Sequence, residues 1–191
     1  MSVCDETADG AVSRLWKLEA LSRLDKAGRC CIRDGDDFEH CLGTILDTAI
    51  FVTAADKGKL QLIDPISGCL VIRAQRGFDQ SFLDYYSYVH EESDVTCGAA
   101  LRKAQRVSVE DVATSDMLCG TRAREVLLNA GVRAVQSTPL LNGAGRVIGT
   151  LCTHFSRPTY LGEPELSLIN VLTQHAREYL QRRETKTRLS R

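Results

Sequence analysis

The side chains able to do chemistry are few and scattered. Cys152 and His154 stand two apart in "VIGTLCTHF", residues 147–155, a spacing that puts both on one face of an extended strand. Such a pair could bite a metal, but a site needs at least one more ligand, and the sequence names no third. Glu110 and Asp111 adjoin in "VSVEDV"; neighbours on a strand point to opposite faces, so they do not form a carboxylate pair. Cys97 opens "CGAALRKA", where the free N–H groups of a helix start favour a thiolate. The chain has eight cysteines but no Cys-x-x-Cys, which argues against a structural zinc knuckle. Without a secretion signal the cysteines read as reduced thiols, mostly small core hydrophobes. Gly-x-Ser-x-Gly, His-Glu-x-x-His and P-loop motifs are absent. "HARE" at His175 lacks the following proline of a phospho-accepting box.

The elements that must position these residues follow from hydrophobic period. "AVSRLWKLEALSRLDKAG" spaces Leu15, Leu18, Leu21 and Leu24 by three, with Ala27 continuing, and predicts a helix ending near Ala27 with Gly28 as its C-cap. "RCCIRDGDD" reads as a linker. A second helix starts at the Asp36–Asp37 pair and carries Phe38, Cys41, Leu42, Ile45, Leu46, Ala49 and Val52 on one face. The period then changes to two: "KLQLID", "PISG" and "CLVIRAQR" predict a hairpin. Phe82, Tyr85, Tyr86 and Val89 recur at helical spacing, "CGAALRKA" is a short helix, "VSVEDV" a strand and "TRAREVLLNAG" a helix closed by Gly131. Two strands joined by "NGAG" precede a long final helix with Pro164 in its first turn. Strands joined as hairpins or by excursions predict an antiparallel sheet of about five to six strands with helices on both faces, an α+β fold. In the last strand Val147, Gly149, Leu151, Thr153 and Phe155 should face the long terminal helices. Ile148, Thr150, Cys152 and His154 should face the short excursion helices.

With 191 residues, the chain suits one domain with appendages. We expect a helix and linker over 1–35, a domain over 36–180 and a basic tail over 181–191. A net charge of −1, from 24 basic and 25 acidic residues, gives no electrostatic case for nucleic acid or an anionic membrane. Apolar runs fall short of the ~18 residues a membrane span needs. The polar, acidic start "MSVCDETADG" is unlike a signal peptide. A cytoplasmic chain is expected.

The pieces "AADKGKLQLIDPISGCLVIRAQRGFDQSFLDYY", "CGAALRKAQRVSVEDV" and "GVRAVQSTPLLNGAGRVIGTLCTHFSRP" followed by "EPELSLINVLTQHA" resemble a bacterial GAF domain, PAS-related, of the subtype found beside PAS and histidine-kinase modules. The resemblance runs from about Phe38 to about Tyr179. It implies a ligand-sized cavity roofed by the short helices, and terminal helices that pair in dimers. It does not imply a ligand. Bilin-binding members have a Cys-His context, whereas His40-Cys41 is reversed and lies on the second helix. The Asn-Lys-Phe-Asp-Glu signature of cyclic-GMP-binding members is missing. A haem would need an axial ligand such as His90 or His154.

The expected pocket gathers Gln61, Tyr85, Cys97, Gln136, Thr138, Thr150, Cys152 and His154. Expected partners are an unidentified small molecule, a second copy of the chain and a signalling output protein such as a kinase. Leu15, Leu18, Leu21 and Leu24 with Leu168, Leu172, Ala176 and Tyr179 form the expected dimer seam, or else only cover their own sheet. No catalytic or metal-binding role is assigned on this reading. The alternative is thiol-based: free methionine-(R)-sulfoxide reductases carry a stretch similar to "CGAA", which would cast Cys97 as nucleophile, Cys119 as resolving thiol and Glu110 or Asp111 as substrate-holding groups. Against it, no cysteine lies shortly upstream of Cys97, and "TRAREVLLNAG" has no counterpart in those enzymes.

Overall fold

The computed structural model describes residues 5–32 and 37–189; Asp36, half of the expected N-cap pair, lies outside them. The first helix, α1 (Asp5–Ile32), passes the glycine expected to end it. Gly28 is helical because the His175 ring packs against it: a Cβ there would meet His175 Cε1 at 3.1 Å. The glycine therefore marks a close helix approach rather than a cap, and residues 29–32 of the expected linker are helical. In α2 (Phe38–Thr53) the Asp37 side chain caps the helix by accepting from Glu39 N. Cys41, Leu42, Ile45, Leu46, Ala49 and Val52 are fully buried, as their spacing predicts.

Strands β1 (Lys57–Ile63) and β2 (Leu70–Arg76) form the expected hairpin. The excursion that follows holds α3 (Gln80–Tyr85) and α4 (Thr96–Lys103). Val89, expected on the third helix, instead exchanges backbone hydrogen bonds with Leu70 as an isolated bridge. Strand β3 is only Val107–Val109. Glu110 and Asp111 fall beyond it, where Arg133 grips Asp111 through both carboxylate oxygens. After α5 (Arg122–Asn129) come β4 (Ala134–Leu141), β5 (Val147–Phe155) and α6 (Glu163–Leu189).

The sheet is antiparallel throughout, in the order β2-β1-β5-β4-β3. One face carries Leu60, Leu62, Leu140 and Leu151 and forms a core with α1, α2 and α6. The other forms a second core beneath α3, α4 and α5, in which Cys152 packs with Phe82, Tyr86 and Cys97. The predicted faces of β5 hold except at one end. Leu140 pairs with Gly149 but Leu141 with Val147, so Ile148 is an extra residue and packs with the terminal-helix core instead. Among the described residues no helix is long and apolar enough to cross a membrane.

Candidate functional site

A polar strip crosses the middle of the second core. Antiparallel register places Lys59 opposite Cys152, Gln61 opposite Thr150 and Ser137 opposite Cys152, which puts these side chains on one face. Lys59, Gln61, Thr150, Cys152 and Ser137 are all buried, and α4 lowers Thr96 and Cys97 onto them. Close approach is built into the strands: a Cβ on Gly149 would sit 2.4 Å from Gln61 O. Gly98 is likewise pinned, since a Cβ there would lie 2.7 Å from Ser93 O and 2.8 Å from His90 O. That fit presses the loop before α4 onto the helix and fixes Cys97.

Lys59 is the centre of the strip. Its side chain is 1% exposed, and burying an ammonium is costly unless it is paired. Here Nζ donates to Gln61 Oε1 at 2.5 Å and to Cys97 Sγ at 3.3 Å, and it lies 4.2 Å from the centroid of the Tyr86 ring. Gln61 Oε1 also accepts from Thr150 Oγ1 at 3.4 Å, and Gln61 Nε2 donates to Tyr86 O at 3.5 Å. Beyond Cys97, Ser137 Oγ donates to Thr96 Oγ1 at 2.9 Å and lies 3.3 Å from Cys152 Sγ.

These contacts set the protonation of the two thiols. A hydrogen bond from Cys152, then the Lys59 ammonium, hold Cys97 down at about 6 against burial, which acts upward. The same hydrogen bond and burial push Cys152 well above the ordinary thiol range. Cys97 is therefore the thiolate and Cys152 the thiol that donates to it. The buried Tyr86 phenol is likewise raised, chiefly by desolvation. The strip sets a cation, a nucleophilic sulfur and several neutral hydrogen-bonding groups side by side, each in contact with the next.

His154 belongs to a different environment. It stands at the end of the strip opposite Lys57, edge-on to Phe78 at 4.9 Å and to Phe82 at 5.9 Å between ring centroids. Its Nδ1 has no hydrogen-bond partner. Burial, then the positive charges of Lys59 and Lys57, depress its pKa well below the usual value and keep the ring neutral. Cys152 and His154 share a face but serve separate neighbourhoods, one polar and one aromatic. His90 is exposed and lies 3.4 Å, through Nδ1, from Cys69 Sγ.

Of the eight residues grouped from sequence, Gln61, Cys97, Thr150 and Cys152 meet in the strip and His154 flanks it. Tyr85 sits at the rim, half-buried, with Arg122 over its ring; its neighbour Tyr86 points inward. Gln136 and Thr138 are corrections. Gln136 pairs with Thr153 and Thr138 with Leu151, so both face the terminal-helix side, and Gln136 there accepts from Ser108. Ser137 and Val135 occupy the positions assigned to them. Lys59, Tyr86, Ser137 and Thr96 were the residues missed. Lys59 was recoverable, because it alternates in phase with Gln61, but a lysine in a strand ordinarily reads as a solvated residue. Cys119 is exposed, and the thiol beside Cys97 is Cys152.

A five-stranded antiparallel sheet with three helices on each face and a polar strip under the shorter set is an α+β domain architecture. The chain belongs to the GAF family, whose domain model matches residues 37–180. It is similar to a domain of a two-component sensor histidine kinase from Sinorhizobium meliloti, with 19% identity and a TM-score of 0.66 over 82% of this chain and 100% of that one. The GAF domain of a phosphoenolpyruvate-protein phosphotransferase from Coxiella burnetii matches at 14% identity and a TM-score of 0.70, covering 89% and 98%. The chromophore-binding domain of a bacteriophytochrome from R. palustris matches at 14% and 0.69, covering 90% of this chain and 63% of that one. At these identities the likeness is one of fold. No curated protein matches the chain. GAF domains form a family of signalling and sensor domains, generally regulatory.

Proposed function

We propose that the chain is a cytoplasmic regulatory sensor whose sheet face beneath α3, α4 and α5 takes a small molecule, and whose terminal helices pass occupancy to an output partner. One observation carries this reading. A fully buried lysine, a thiolate and a run of amide and hydroxyl groups line that face, and the strands bearing them also carry, on their backs, the core that seats α1, α2 and α6. A ligand that displaces Lys59 or Cys97 would move β1 or α4, and β1 packs directly on α2. Of the residues expected at a dimer seam, Leu15, Leu18 and Leu21 are exposed on α1, whereas Leu24, Leu172, Ala176 and Tyr179 are buried within the chain's own core and Leu168 packs half-buried against it. The proposed self-association surface is therefore the α1 leucine stripe alone.

Native mass spectrometry of the purified protein, with its absorption spectrum, tests the sensor reading. A retained small-molecule mass that is lost in Lys59→Met supports it; a retained mass unaffected by that change places the ligand elsewhere and rejects the site. Leu18→Asp should give a folded monomer, and an unchanged dimer mass would reject the α1 surface.

The thiolate favours a second reading, a thiol-reactive sensor or reductase built on Cys97. Its resolving thiol would be Cys152 rather than Cys119. Turnover of free methionine sulfoxide with a dithiol reductant, abolished in Cys97→Ser, would support the enzyme; no consumption by wild type would dismiss it.

A further inference from the structure

A second pair of thiols lies on the other side of the sheet, far in the fold from the polar strip. Cys30, near the C-terminus of α1, and Cys41, in the first turns of α2, bring their sulfurs to 2.9 Å. Sulfur atoms in ordinary nonbonded contact stay further apart, and a disulfide at about 2.05 Å needs them to close by less than 1 Å. The Cys41 thiol is further oriented by donating to the Cys30 carbonyl at 3.1 Å. No bond joins them in this structure.

We infer that Cys30 and Cys41 are the site of a reversible disulfide that latches the α1 helix to the α2 layer. The two residues differ in access. Cys41 is 0% exposed and Cys30 is 8% exposed, so an oxidant reaches Cys30 first. With a low-molecular-weight disulfide as oxidant, the Cys30 thiol gives up its proton and its sulfur attacks one sulfur of the reagent. That step forms a mixed disulfide and expels one reagent thiol. The Cys41 thiol then loses its proton to solvent, and its sulfur attacks Cys30 Sγ and expels the second reagent thiol. Two protein thiols are oxidised by two electrons and one disulfide is reduced to two thiols. In the reduced pair burial, with the neighbouring Cys30, pushes Cys41 up to about 12; the burial remains when Cys30 is in the mixed disulfide, so the second step is the slow one at neutral pH.

The consequence follows from what α1 rests on. Below its exposed leucines, α1 packs through Ala20, Leu24, Ala27, Cys30 and Cys31 into the core shared with α2 and α6, and Arg182 donates to Cys31 O at 2.7 Å. Reduced, α1 is held by packing and hydrogen bonds and opens locally. Oxidised, its C-terminal end is covalently fixed to α2 by the disulfide, which restrains local opening of the helix. Disulfides in reducing compartments are mostly transient and redox-sensing, which suits a latch on a helix that carries a signal.

The test equilibrates the reduced full chain in glutathione redox buffers, quenches with acid and alkylator, and maps the peptides. The expected product is a Cys30–Cys41 link, lighter by two hydrogen atoms, lost in Cys30→Ser and in Cys41→Ser and kept in Cys31→Ser and Cys97→Ser. Raising the pH should speed conversion of the Cys30 mixed disulfide about tenfold per unit, as the Cys41 thiolate fraction grows. In the linked protein, amide exchange over residues 20–32 should slow by about tenfold or more. Cys30 and Cys41 both alkylatable in the most oxidising buffer would overturn the proposal. A link to Cys31 instead would overturn it too, and so would unchanged exchange in α1 with the bond in place.

Discussion

Replacing Lys59 with Met removes the buried ammonium and keeps an unbranched apolar stem in the same space. The Cys97 thiol, ordinarily 9.0, is held at about 6, which amounts to about 4 kcal/mol in favour of the thiolate. The Cys152 hydrogen bond is the largest cause and survives the substitution; the Lys59 charge and its hydrogen bond do not. An opposite charge at contact accounts for about 1–3 units, so the midpoint should climb by that much. At pH 7 the thiolate fraction should fall from about nine-tenths to half or less. Ultraviolet thiolate absorbance against pH, with Cys97→Ser subtracted as background, reads this directly. Stability supplies an independent reading. A thiol whose folded pKa is depressed stabilises fully above its unfolded value and loses that contribution as pH falls through the folded one. Wild type should therefore lose stability from about pH 9 down to about pH 6, and Lys59→Met should show a shallower loss over that window. A midpoint unmoved by the substitution would refute the lysine's role and leave the Cys152 hydrogen bond as the main agent.

His154→Phe completes the aromatic cluster of Phe78 and Phe82 without an orphaned Nδ1, and should raise the unfolding free energy in urea by about 1 kcal/mol; a loss of that size would mean the nitrogen has a partner. The same substitution should flatten the stability loss on acidification below about pH 6.5, because only the unfolded state of wild type takes up the imidazole proton there. Gly149→Ala drives a Cβ to 2.4 Å from Gln61 O and should cost about 1–3 kcal/mol through strand separation; an unchanged denaturation midpoint would show that β1 and β5 are less closely apposed. Gly98→Ala should push the loop before α4 off its seat and raise the Cys97 midpoint in the thiolate titration; a native midpoint would show that the loop does not position the sulfur.

What could be read from the residues, and what could not, divides along a physical line. Period alone set the hairpins, the buried face of α2 and most of the β5 alternation, because one-sided burial forces period two in strands and near four in helices. It failed wherever a residue's role depends on a partner distant in sequence. Gly28 looks like a helix stop until His175 is brought against it. Gln136 and Thr138 have the composition of pocket lining, but their strand enters one residue out of phase with the assignment, and a shift of one exchanges every face. Ile148 changes side because a bulge, set by pairing with Leu140 and Leu141, resets the alternation midway.

Lys59 is the most instructive failure. Local reasoning treats a charged strand residue as solvated, and its burial becomes tolerable only once Gln61, the Tyr86 ring and Cys97 from α4 gather around the ammonium. The ammonium in turn adds to the Cys152 hydrogen bond in lowering the thiol, so the two residues support one another. That mutual dependence is also why the strip suits a regulatory role. On the proposed reading, an ion pair sealed under a short helix would be opened by protonating the sulfur, oxidising it or offering the ammonium a better anion. Each of these acts on β1, whose opposite side packs against the helix layer through Leu60 and Leu62.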